Sequence, residues 1–142
     1  MKFNTKEFYE LVKEKSATDI DFKAMAPGFT ARWQSFIRNC PGNVDRLVEW
    51  EVRNTVVTSL NFHEFPVPSE IRNQPVDEKK FLGRFSMEYP CSVKLHKQEV
   101  TAMMAIGMGD YDIDGDITEV MKLIEAFDAF IDLQSTIPAE YD

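Results

Sequence analysis

The chain has 142 residues, is 44% hydrophobic and 28% charged, and carries a net charge of −8 at pH 7. That length suits a single domain with its own buried core. The negative balance argues against holding nucleic acid or an anionic lipid surface by bulk electrostatics, and no apolar run approaches the ~18 residues of a transmembrane helix, so no stable membrane insertion is expected.

The N-terminal stretch Met1 to Glu7 is charged and has no apolar signal region. Asn4 and Glu7 have the spacing of a capping box, and Phe3 with Phe8 the spacing of a hydrophobic staple. A first helix follows, with Phe8, Leu11 and Val12 on its apolar face. A short second helix fits Ile20 to Ala26, ended by Pro27-Gly28. Phe29, Trp33, Phe36, Ile37 and Cys40 then recur at helical spacing, which predicts an aromatic-rich helix stopped by Pro41-Gly42. Helices are thus expected over about residues 4–40.

Strands are expected over about residues 47–96. Val48, Trp50 and Val52 alternate with Glu49, Glu51 and Arg53, and Val56, Thr58, Leu60 and Phe62 keep the period after Asn54. Pro66, Pro68 and Pro75 mark a loop. Phe85, Met87 and Tyr89 alternate again, and beyond Pro90 so do Cys91, Val93 and Leu95, which would turn His96 toward solvent. A short helix is expected over 98–106, with Gly107 and Gly109 beyond its end.

Asp110, Asp112 and Asp114 occupy positions 1, 3 and 5 of an EF-hand loop, with Gly115 at 6, but position 12 is Met121 where calcium needs a bidentate glutamate. A strand-to-helix junction uses every residue of the run. Tyr111 and Ile113 alternate with the aspartates, Gly115 turns the chain, and Asp116 with Glu119 opens a helix. Val120, Leu123, Ile124, Phe127 and Ile131 then form one helical face over about 116–134.

Conventional catalysis is hard to assemble. The histidines are His63 and His96, and His63 lacks the second histidine of a zincin helix. A Cys91–His63 nucleophilic pair stays open. No Walker loop or dinucleotide fingerprint occurs, and no metal or cofactor is expected. Cys40 and Cys91 are too few for a disulfide framework, which suits a reducing cytoplasm.

Between residues 91 and 130 the order of elements resembles the C-terminal part of sterol carrier protein-type lipid-binding domains. The matching residues are Ser92-Val-Lys-Leu95, Glu99-Val-Thr-Ala-Met-Met104, Gly109, Tyr111-Asp-Ile-Asp-Gly-Asp116 and Val120-Met-Lys-Leu123. The sequence departs from that family in lacking a longer insertion between the helix at 99–104 and the short strand. It also ends in Glu140-Tyr-Asp142 rather than a peroxisomal Ser/Ala-Lys-Leu signal. The resemblance implies an α+β fold, a small, mostly antiparallel sheet covered by helices, with an apolar cavity between the two. Met103, Met104, Met108, Met121, Ile124, Phe127 and Phe130 are the candidate lining residues, methionine being suited to adaptable apolar surfaces. The function implied is non-enzymatic binding of a lipid or other hydrophobic small molecule. The alternatives are an interaction or regulatory module, homodimeric in one version, and a calcium module at Asp110–Glu119.

Overall fold

A computed structural model describes residues 1–142. Five strands form one sheet in the order β3-β2-β1-β4-β5, where β1 is Ala31–Cys40, β2 Val44–Arg53, β3 Val56–Pro66, β4 Gly83–Glu88 and β5 Tyr111–Gly115. The β1–β4 pair is parallel and the other three are antiparallel. Six helices accompany it: α1 (Lys6–Ser16), α2 (Ile20–Met25), α3 (Tyr89–His96), α4 (Ala102–Gly107), α5 (Ile117–Lys122) and α6 (Ile124–Ser135). The expected α+β class, a mostly antiparallel sheet covered by helices, is the observed one. No helix is long and apolar enough to cross a membrane.

The aromatic segment at 29–40 is the main correction. It forms β1, the central strand, and not a helix. Both of its faces are covered, so Trp33 and Ile37 on one and Phe36 on the other are all buried. Regular pairing with β2 breaks between Ile37 and Cys40, where Asn39 adopts φ +53°. Such a bulge shifts the side-chain phase, and a phase-shifted strand with two buried faces imitates helical spacing. Pro41-Gly42, expected to stop a helix, instead turns the β1–β2 hairpin, with Gly42 at φ +89° and Asn43 at φ +57°.

A second correction concerns residues 91–95, which are helical (α3) rather than extended. Proline is tolerated in a helix's first turn because that N–H has no intrahelical acceptor. Pro90 therefore starts the helix instead of interrupting a strand. The buried stripe is Cys91, Ser92, Leu95 and His96, which turns His96 inward, contrary to the solvent-facing position expected of it.

Smaller differences have local causes. Thr5, not Asn4, caps α1, its hydroxyl accepting from the Phe8 N–H. Asn4 is fully buried at φ +62°, donating to Cys40 Sγ at 3.2 Å and accepting from the Tyr9 hydroxyl. The expected C-terminal helix is two, broken at Leu123 (φ −105°, ψ 10°). On β3 the register slips between Glu51 and Val52, so Val57 faces the core at one end while Leu60 and Phe62 do so farther along.

The Asp110–Glu119 run is the strand-to-helix junction. β5 pairs with β4 from Tyr111 to Gly115, and the Asp116 carboxylate caps α5 by accepting from the Glu119 N–H at 3.1 Å. The reciprocal half of the box is absent, because Glu119 pairs with Lys122 and the Asp116 N–H donates to Leu82 O.

The helices lie on one sheet face, where Trp33, Ile37, Val48, Trp50, Val52, Phe85 and Met87 form the core with Phe127, Phe130 and Leu133. The other face carries Phe36 and Leu47 among polar groups and is partly covered by the β3–β4 crossover. Asp45, fully buried there, accepts from Arg72, Ser69 and the Asn39 N–H. Beside it Arg84, Gln34, Glu49 and His63 form a hydrogen-bonded row across four strands.

Candidate functional site

Between the sheet and the helices lies a cavity of about 60 Å³, lined by 16 residues of which 12 are hydrophobic. Its floor follows from strand periodicity. Trp33 of β1 and Trp50 of β2 are register partners, stacked with ring centroids 6.2 Å apart. Phe85 and Met87 of β4 and Tyr111 of β5 extend that surface. The roof is α6, whose Phe127 meets Trp33 and Phe85 edge-on at 5.0 and 4.8 Å. Phe130 meets Trp33 and Trp50 at 5.3 and 5.0 Å. Edge-to-face contact aims the positive ring edge at the negative ring face, so this box is held by directional contacts as well as by burial.

Four lining residues are polar: Ser35 on β1, and Ser92, His96 and Gln134 grouped at the end where α3 meets α6. Ser92 Oγ donates to Tyr89 O at 2.6 Å. His96 Nε2 lies 2.9 Å from Ile137 O, an acceptor that requires the proton on Nε2, so Nδ1 accepts from the Tyr141 hydroxyl. Phe3 stacks on the imidazole at 4.6 Å. This histidine thus ties α3 to the segment after α6 and to the residues before α1.

Burial sets the ionisation of the site. Desolvation lowers the His96 pKa, partly offset by hydrogen bonding to Ile137 and Gln134. It raises the Tyr9 and Tyr111 phenols far above their ordinary value, raises the Cys91 thiol, and lifts Cys40 to about 11. A buried protonated thiol is a poor nucleophile. Cys91 sits in the core, whereas His63 lies across the sheet, 3.1 Å from Glu49 Oε1. The nucleophilic pair left open by the sequence is therefore not assembled. What this chemistry suits is burial of apolar groups.

The candidate residues divide. Phe127 and Phe130 line the cavity, and Ile124 is half-buried at the start of α6 outside the lining. The four methionines do not line it. Met103, Met104, Met108 and Met121 are 47%, 52%, 57% and 36% exposed. The cause is which residues face inward. α4 and α5 have six residues each and use their inward sides for Ala102, Ala105 and Val120, which leaves the methionines outside. Sequence reasoning missed Trp33, Trp50, Phe85, Ile131 and His96 as lining. The alternation around Trp50 and Phe85 could have found two of them, since it gives the inward face of each strand.

Comparison with known proteins adds the fold's relatives. No protein-family model and no curated protein matches the sequence. Among solved structures the chain is similar to sterol carrier protein 2, with a TM-score of 0.77 at 9% identity over 96% of this chain and 100% of that one. It is similar to a conserved hypothetical protein of Thermus thermophilus suggested to be a sterol carrier protein, with a TM-score of 0.76 at 10% identity over 99% and 92% of the two chains. A palmitated sterol carrier protein 2-like protein from Aedes aegypti has a TM-score of 0.54 at 14% identity, covering 88% of this chain and 93% of that one. The chain has the sterol carrier protein 2 fold over nearly its whole length, as the resemblance at 91–130 implied.

Proposed function

We propose that this protein reversibly binds a lipid or other hydrophobic small molecule between the sheet and α6, without chemical conversion. The observation that carries the proposal is the aromatic-lined cavity with one polar end. Such a site suits a ligand with an apolar body and a polar head. That one protein of this fold is palmitated supports an acyl chain as such a body. Each methylene buried would contribute about 0.8 kcal/mol before ordering costs.

The cavity volume of about 60 Å³ constrains the mechanism. It is far below the roughly 300–1,000 Å³ of pockets for small-molecule ligands. Uptake of a whole chain therefore requires the roof to move. The interruption at Leu123 is a place where α6 can pivot, since Leu123 departs from helical geometry between two helical segments. The free protein would be the closed state, and the ligand would replace aromatic contacts made by Phe127 and Phe130.

The test is titration with a naturally fluorescent polyene fatty acid. Wild-type protein should give saturable uptake, and Phe127→Trp, which adds a ring where the chain would enter, should weaken it at least about tenfold. The same substitution should lower stability by no more than about 1 kcal/mol if the cavity accepts the ring, against about 1–3 kcal/mol for overpacking a filled core. No uptake by wild type, together with clear destabilisation of Phe127→Trp, would show a filled core and end the proposal.

A further inference from the structure

The net charge is concentrated rather than spread. Residues 101–142 contain ten of the 24 acidic side chains and one of the 16 basic ones, Lys122, leaving residues 1–100 close to neutral. The fold gathers much of this excess around the β5 edge of the sheet. Asp110, Asp112, Asp116 and Glu119 are exposed there, and α6 adds Glu125, Asp128 and Asp132 behind them. The field is felt locally. The Asp128 carboxyl is raised above its ordinary value, by desolvation first and then by repulsion from Asp132 and Glu125.

The same elements carry most of the exposed large hydrophobic side chains. Of the eight large hydrophobic side chains left exposed, five are Met103, Met104, Met108, Ile117 and Met121. Met104 with Met108, and Ile117 with Met121, are four residues apart, so each pair forms a ridge on the outer side of its helix. β5 joins the two helices, so the two ridges stand at either end of one five-residue edge strand.

We infer that the α4–β5–α5 edge is a docking surface for a basic amphipathic helical segment of a partner protein. Flexible methionines adapt to apolar anchors at helical spacing, and the acidic excess of Asp110, Asp112, Asp116, Glu125 and Asp132, against Lys122 beside Glu119 and Lys94 near Met108, favours positive charge on the occupant's margins. The other occupants fit less well. Anionic lipid and nucleic acid are repelled by such a surface, and a second copy of this chain would bring the same acidic excess against it. The surface is outside the cavity, so the inference stands independently of the ligand proposal.

The experiment uses the full chain labelled with 13C at the methionine methyls and a synthetic helical peptide of leucine and lysine, about 18 residues long. The methyl signals of Met103, Met104, Met108 and Met121 should shift saturably, while that of Met87, buried on β4, should not. Affinity should fall at least about tenfold between about 50 and 500 mM salt and again in Met104→Ser/Met108→Ser. Both substituted side chains are exposed, so folding should survive. A leucine–glutamate peptide of the same pattern should leave the signals unmoved. Absence of shifts with the basic peptide, equal shifts with the acidic one, or unchanged affinity in the double variant would overturn the inference. Loss of those four signals on zwitterionic vesicles, without any response to peptide, would assign the surface to membranes instead.

Discussion

His96 joins three segments through one neutral imidazole, so its protonation is a stability question. Its pKa in the folded chain lies below the ordinary value of 6.5, because burial disfavours the cation. The unfolded chain therefore takes up a proton first as the pH falls. Stability contributed by the neutral ring is complete above that value and declines as the pH drops through it, until the folded protein also binds the proton. Asp128 works the other way in a more acid range, since its carboxyl is raised above 3.8. Urea unfolding between about pH 7.5 and pH 5.5 should show the decline, and His96→Gln should flatten it. Asp45 gives the second prediction at this scale. Burial opposes its charge, but hydrogen bonds from Arg72, Ser69 and the Asn39 N–H outweigh burial and hold the carboxyl well below the usual range. Removing it leaves the Asn39 and Ser69 N–H groups without their acceptor and Arg72 of the crossover without its counter-ion, so Asp45→Ala should cost about 3 kcal/mol by chemical denaturation.

At the scale of elements, the β4–β5 pair shows how one position can fix a junction. Gly115 sits at φ +125°, and a Cβ there would lie 2.7 Å from both Gly83 Cα and Leu82 O. Gly115→Ala should therefore cost about 1–3 kcal/mol. Gly107 ends α4 with open space around it, so Gly107→Ala should remain within about 1 kcal/mol of the native protein. Thermal unfolding of the two variants side by side checks the contrast. Asp116 belongs to the same junction. As a lone N-cap to α5 its replacement by Ala should cost about 1 kcal/mol, equally with and without added calcium.

Across the whole molecule, burial is uneven. β1 is the central strand and β2 its interior neighbour, with Trp33, Val48, Trp50 and Val52 almost wholly inaccessible. α4 and α5 are short and bury two residues and one. Segments with little buried surface open at lower free energy than the core. Native-state hydrogen exchange should accordingly show β1 and β2 amides protected near the global limit and those of α4 and α5 exchanging far faster. Equal protection throughout would show that α4 and α5 open only with the whole domain.

Sequence by itself determined what local chemistry decides. The Val48–Val52 alternation, the Asp116 cap, the turn at Gly115 and the inward face of the last helix each depend on neighbours within a few residues, and each is present in the fold. The resemblance at residues 91–130 carried the architecture, even though residues 92–95 form a helix where a strand was expected. Tertiary structure alone decided the rest. Residues 29–40 have helical spacing, yet they form a strand because neighbouring β2 and β4 supply both rows of backbone partners and each face is covered. His96 turns inward because Pro90 opens a helix after β4. The methionines lie outside the cavity because the buried sides of α4 and α5 carry Ala102, Ala105 and Val120. In each case periodicity identifies which side chains are apolar, while the side they are buried on depends on elements far away in the chain.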